Sequence, residues 1–137
     1  MFKLRSLALG LALASGAAGA GNYAQYEVSI TNLTPGQSFT PQLVVTHPSD
    51  ISLFAAGQPA GEPLEILAEG GDTGPLTNAV AGLVDDAQTI GGLLGPGQTM
   101  SVLVNGEPGR GVFSVAAMMI PTNDTFMALD SALLPRR

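Results

Sequence analysis

The sequence has no cysteine and no tryptophan among its 137 residues, and His47 is its single histidine. The lack of cysteine excludes disulfides, thiolate zinc sites and cysteine nucleophiles. Serine triads and most zinc sites need histidine, and a zinc site usually needs more than one nitrogen or sulfur ligand. His47 follows an apolar segment and precedes Pro48. We interpret it as a structural histidine that caps loop backbone, with a role in chemistry as the alternative.

Two of the few basic residues, Lys3 and Arg5, lie at the amino terminus, before the apolar run Leu7–Ala14 and the small residues Ala18–Ala20. This order is typical of a secretory signal peptide, and the apolar run is too short to span a membrane permanently. A buried N-terminal helix is the alternative. We expect cleavage after Ala20, which would leave residues 21–137 as one domain in the periplasm or outside the cell.

The predicted mature chain has no lysine and is strongly acidic. Three arginines remain against all eleven acidic residues, so its formal net charge is −8. A nucleic-acid-binding protein needs a basic surface, and an anionic membrane surface would repel this chain. No second apolar segment approaches bilayer length, so we expect no membrane span. The composition favours cations, neutral surfaces or basic proteins as partners.

Hydrophobic patterning predicts several short strands. Val112–Ile120 is almost entirely apolar and ends at Pro121, which indicates a strand buried on both sides. Tyr26–Thr31 alternates between apolar and polar residues, which predicts a half-buried strand. The turn sequence Asn105–Gly109 predicts a hairpin between Val112–Ile120 and the strand that precedes it. The other predicted elements are strands at Gln42–Thr46, Ala87–Ile90 and Gln98–Val104 and short helices at Pro63–Glu69 and Pro75–Leu83.

Short strands separated by glycine and proline turns, with one or two short helices, predict an all-β fold built as an antiparallel β-sandwich. No internal repeat is present. The hairpin that ends in Val112–Ile120 is expected to lie at the centre of this fold.

Acidic residues are the remaining source of chemistry. Asp124 lies in the polar corner Thr122–Thr125, directly after the central strand, and loop carboxylates are ligands that calcium prefers. The alternative for Asp124 is a loop or capping aspartate. Asp130 and the pair Asp85–Asp86 are weaker candidates for the same ion, and none of these acids matches EF-hand spacing. A carboxylate pair for glycoside hydrolysis stays open, although most of the acids are expected on exposed surface.

Two asparagines lie in Asn-x-Thr sequences, Asn32 before Leu33-Thr34 and Asn123 before Asp124-Thr125. Such sequences are glycosylation acceptors only in a eukaryotic secretory host.

Four segments in order resemble the spondin N-terminal domain, above all its short exported bacterial members. They are Asn32–His47, Ser52–Ala60, Leu67–Leu76 and Pro121–Ser131, and the resemblance covers about Tyr26 to Ser131. It implies a β-sandwich similar to C2 domains that usually carries calcium, and it implies no enzyme activity. The animal members of that family are extracellular matrix and adhesion proteins.

The resemblance assigns a calcium-ligand role to Asp124, the aspartate of the Pro-Thr-Asn-Asp corner. The family's other acidic ligands come from a later Asp-Ala-Gly-Thr-Asp/Glu motif, which this chain lacks before its end at Arg137. We therefore expect a sandwich without its C-terminal strands, weak or lost calcium binding, and an uncovered edge that promotes association. The expected function is an exported binding or adhesion module with an unidentified extracellular or cell-surface partner and no catalytic residues. The alternatives are a secreted carboxylate-dependent hydrolase and a truncated, non-functional fragment.

Overall fold

The computed structural model of the protein describes residues 22–136, so the predicted signal at residues 1–20 lies outside the described residues. Within residues 22–136, no helix is long and apolar enough to cross a membrane. Seven strands and two short helices follow in chain order: β1 Ala24–Thr31, β2 Ser38–Phe39, β3 Gln42–His47, α1 Glu62–Gly70, α2 Gly74–Val80, β4 Asp86–Ile90, β5 Thr99–Gly106, β6 Val112–Ile120 and β7 Phe126–Leu133.

Strand β6 is the centre of the larger sheet, as its apolar run predicts. It pairs antiparallel with β3 on one edge and with β7 on the other, and β4 pairs with the far edge of β3. The short strand β2 pairs with the end of β6, where Phe39 lies opposite Met119. Both faces of β6 carry apolar side chains because both are covered, so an alternating pattern would not suit this position.

Strands β1 and β5 form a separate two-stranded sheet, in register from Ala24 opposite Gly106 to Thr31 opposite Thr99. The predicted hairpin between β5 and β6 is therefore wrong. Both edges of β6 are already occupied by β3 and β7, so β5 cannot pair with it. Residues 107–111 instead carry the chain from one sheet to the other, and the Gly111 N–H donates to the Glu107 carbonyl at 2.9 Å within this connection.

The core lies on both faces of the larger sheet. One face packs against the two helices through side chains that include Leu43, Val45, Leu64, Leu67, Leu76 and Val80. The other face packs against the smaller sheet through Val44, Val104 and Val115. The antiparallel sandwich with two short helices is thus confirmed, and the helices add a third layer that covers the outer face. Burial of apolar surface on both sides is what stabilises a sheet with such an apolar centre.

The helices begin and end close to their predicted limits. A proline lies in the first turn of each, where its missing N–H needs no partner. Gly71 ends α1 with φ of 70°, and its N–H donates to the Leu67 carbonyl at 2.9 Å. Helix α2 ends at Val80, before the predicted limit at Leu83.

One side of the sandwich is closed by Asp86, which lies on β4 and bonds to β5. The Asn105 backbone N–H donates to Asp86 Oδ2 at 2.8 Å, and Gln88 Nε2 donates to Oδ1 at 2.8 Å. Partial burial raises the pKa of the Asp86 carboxyl, but the hydrogen bonds from Asn105, Gln88 and Ala87 outweigh it and hold the pKa below its usual value. This stabilisation is present above the unfolded-state pKa and is lost as the pH falls through the lowered folded-state pKa.

Candidate functional site

The opposite side of the sandwich is open. There β1 and β7 are the outer strands of their sheets, and a groove of about 490 Å³ lies between them. Its walls are mainly apolar side chains of β1, β6 and β7. The apolar side chains include Tyr26, Val28, Ile30, Phe113, Val115, Met127 and Leu129. A concave apolar surface of this size is typical of a binding site.

The groove follows from the different widths of the two sheets. The alternation in β1 turns Tyr26, Val28 and Ile30 toward the larger sheet, where they pack against β6 and β7 residues. No third strand of the described chain extends the smaller sheet over β7. Tyr26, Val28 and Ile30 are therefore only half-buried, and Leu129 on β7 keeps 44% of its surface exposed.

One end of the groove is closed by the residues that follow β7. Leu134 is buried and packs against Gly106, where a Cβ atom would collide with the Leu134 side chain. The Tyr26 hydroxyl donates to the Pro135 carbonyl at 3.0 Å. The carboxyl-terminal segment thus fixes the position of β1 relative to β7.

A buried polar network shapes β7 beside the groove. Ser114 on β6 lies opposite two residues of β7, Asp130 and Ser131, because the register shifts by one residue there. Such a β-bulge breaks the regular edge of a strand. Ser131 has φ of 53°, in the left-handed region, and its N–H donates to Ser114 Oγ at 2.9 Å instead of to a strand carbonyl.

The His47 side chain forms a hydrogen bond with Ser114 in the protein interior. Its Nδ1 lies 2.9 Å from the Pro48 carbonyl, which can only accept, so Nδ1 carries the proton. In the neutral ring, Nε2 then accepts from the Ser114 hydroxyl at 2.8 Å. His47 and Ser114 are both fully buried. These contacts agree with the predicted role of His47 as a structural histidine that caps loop backbone.

The serine–histidine pair lacks the geometry of nucleophilic catalysis. In a catalytic triad the carboxylate orients the histidine, whereas Asp130 lies 3.4 Å from Ser114 Oγ, on the serine side of the pair. The buried Ser114 hydroxyl also offers no access to a substrate. A hydrolase that uses other carboxylates stays a prediction.

Asp124 lies exposed in the turn between β6 and β7. Across residues 22–136, no group of three or more histidine, aspartate or glutamate side chains is placed to hold a metal ion. Asp130 accepts from the hydroxyls of Ser52 and Ser131, and Asp85 accepts from the Tyr23 hydroxyl at 3.2 Å. Calcium needs six to eight oxygens, which carbonyls and water can supply together with carboxylates. The role of Asp124 as a ligand stays a prediction.

We expect 1 mM calcium to raise the melting temperature by about 1 °C or less. A ligand raises stability only when its concentration approaches or exceeds its dissociation constant for the folded state, and we expect calcium binding to be weak or lost. The measurement is a melting curve with calcium and with chelator, for the parent protein and for Asp124→Ala. A rise of several degrees that Asp124→Ala abolishes would instead establish Asp124 as a ligand.

Sequence patterns alone did not locate the groove. The one sequence pattern that bears on the groove is the alternation in Tyr26–Thr31. It predicted a half-buried strand, but it did not show which side of that strand would be left uncovered. In comparisons with known proteins, no family model matches the chain and no curated protein matches it. The spondin resemblance therefore stays a prediction.

Proposed function

We propose that the protein is an exported binding or adhesion module that holds a protein partner in the groove between β1 and β7. The observation that carries this proposal is the open side of the sandwich, where half-buried apolar side chains of β1 face an exposed part of β7. Apolar surface that is concave and incompletely covered is favourable to bury against a partner.

The two sides of the sandwich differ in a way that supports this proposal. On the closed side, Asp86 and Asn105 join β4 to β5 with hydrogen bonds. On the open side, the Tyr26 hydroxyl bonds to the Pro135 carbonyl at one end, and no strand of the described chain lies between Tyr26–Thr31 and β7. A partner would therefore meet apolar walls and would displace few internal hydrogen bonds.

The test is selection of random eight-residue peptides displayed on phage against the purified exported protein. We expect enriched peptides to bind the Leu129→Arg variant at least about tenfold more weakly than the parent, since the charge would lie on the groove wall. Leu103→Arg is the matched control, because Leu103 is 54% exposed on β5 and lies outside the groove.

Enriched peptides that bind Leu129→Arg as tightly as Leu103→Arg would overturn the proposal, and so would a selection that enriches no peptide. Circular dichroism and melting curves of both variants show whether they keep the fold.

A further inference from the structure

We infer that the occupant of the groove is a single extended segment of another protein that adds to the free edge of β1 and alternates apolar with basic residues. This inference rests on the proposed function and names the partner's chemistry. Strand addition of this kind takes its affinity from main-chain hydrogen bonds and its specificity from alternate side chains that enter pockets.

The outer edge of β1 offers main-chain groups for strand addition. β1 is eight residues long, and β5 pairs with one of its sides. Over Tyr26–Thr31, no strand of the described chain pairs with its other side. Proteins usually protect such an edge with proline, lysine or a bulge, and β1 has none of these. Glu27 is the one charged residue in this strand.

Two strand edges border the groove, that of β1 and that of β7, and they differ in regularity. The edge of β7 is interrupted by the bulge at Asp130 and Ser131, with φ of 53° at Ser131. An interruption of this kind hinders continuous pairing with a new strand. β1 runs in unbroken register with β5 from Ala24 to Thr31, so its outer edge is regular as well. The added segment therefore pairs with β1 and lies over β7.

The space beside β1 suits one added strand better than a second copy of the protein. In antiparallel pairing of β1 with β1 of a second copy, the inward faces of both strands would point to the same side. The β7 strand of each copy would then have to lie beneath β1 of the other copy. That space is already filled by the other copy's own larger sheet, so the two copies would collide. A single segment meets no such obstacle, because it needs only the space above Met127–Leu129.

The two faces of an added strand would meet different surroundings. Neighbouring strands turn side chains to the same face in register, so alternate residues of the segment enter the groove beside Val28 and Ile30 and meet apolar walls. The remaining residues lie on the outer face beside Glu27, Ser29 and Thr31. Glu27 favours basic residues at these outer positions. Six residues, about 20 Å, would match Tyr26–Thr31.

The experiment uses fluorescence anisotropy with the purified exported protein and labelled eight-residue peptides. The probe alternates valine and lysine. One comparison peptide carries four valines followed by four lysines, a second alternates valine and glutamate, and a third is the probe with N-methyl groups on alternate amides. We expect each comparison peptide to bind at least about tenfold more weakly than the probe, because each removes one of the three recognition elements.

A pair of variants separates the local carboxylate from net charge. Glu27→Gln should weaken binding of the probe by about threefold, in line with one cross-strand charge pair. Glu65→Gln on α1 makes the same change in net charge and should leave binding unchanged. Equal binding of the block peptide, or equal effects of the two variants, would show general charge attraction and overturn the inference.

Sedimentation at the concentrations used tests the competing occupant. We expect a monomer, and a dimer that fails to bind the probe would show that a second copy fills the groove. If library peptides bind in a Leu129-dependent manner but lack the alternating basic pattern, this inference fails while the proposed function stands. If library peptides bind independently of Leu129, the proposed function itself fails.

Discussion

Replacing Asn32 by alanine should lower the free energy of unfolding by about 3 kcal/mol. The Asn32 side chain is fully buried and joins two loops. Its Nδ2 donates to the Gln37 and Leu94 carbonyls at 2.8 and 2.9 Å. Its Oδ1 accepts from the backbone N–H and the hydroxyl of Thr34 at 2.9 and 2.7 Å. The alanine variant leaves the Thr34 N–H without its acceptor, and the Gln37 and Leu94 carbonyls each lose one of two hydrogen bonds, in a place that water does not reach easily.

The measurement for Asn32→Ala is urea unfolding at constant temperature, with the slope checked so that a change in midpoint reports stability. Asn123→Ala is the matched control, because Asn123 is the other asparagine in an Asn-x-Thr sequence and lies exposed in the β6–β7 turn. We expect this control to change the free energy of unfolding by less than about 0.5 kcal/mol. Equal losses in the two variants would contradict the assigned role of Asn32.

Replacing Ser114 by alanine should lower the free energy of unfolding by about 2 kcal/mol. The hydroxyl of Ser114 accepts from the Ser131 N–H and lies 2.8 Å from His47 Nε2, and both partners would lose this contact in the interior. The left-handed conformation of Ser131 would lose its support as well. We therefore expect the bulge in β7, and with it the wall of the groove, to become less ordered.

Hydrogen exchange measures the effect of Ser114→Ala at each residue. The Ser131 amide should exchange faster in Ser114→Ala than in the parent, by more than the change in global stability accounts for. The control is Ser101→Ala, which removes an exposed hydroxyl pair with Ser29 on the outer face of the smaller sheet and should change stability by less than about 0.5 kcal/mol. If the Ser131 amide keeps its protection, the serine does not hold the bulge.

Local patterns predicted most elements correctly because each pattern reports burial directly. The apolar run of Val112–Ile120 determined a strand covered on both faces, and the structure places it at the centre of the larger sheet. The alternation of Tyr26–Thr31 determined a half-buried strand. Prolines and glycines marked the helix ends for the same reason, since they restrict the backbone wherever they occur.

These local patterns could not predict which strands pair with each other. The turn sequence at Asn105–Gly109 favoured a hairpin, but hydrogen bonds to β3 and β7 occupy both edges of β6 and direct β5 to β1. The contact between His47 and Ser114 was equally hidden, because these residues are 67 positions apart along the chain. Histidine and serine patterns carry no information about which distant side chain completes a hydrogen bond.

The sequence by itself determined an acidic, cysteine-free, mostly antiparallel β protein with two short helices and a half-buried strand at Tyr26–Thr31. Only the tertiary structure decided that no described strand covers the outer edge of Tyr26–Thr31 above β7, that Asp86 closes the opposite side, and that a bulge at Ser131 interrupts the edge of β7. The physical reason is that composition and periodicity report how far each residue is buried, whereas a groove depends on which strands become neighbours.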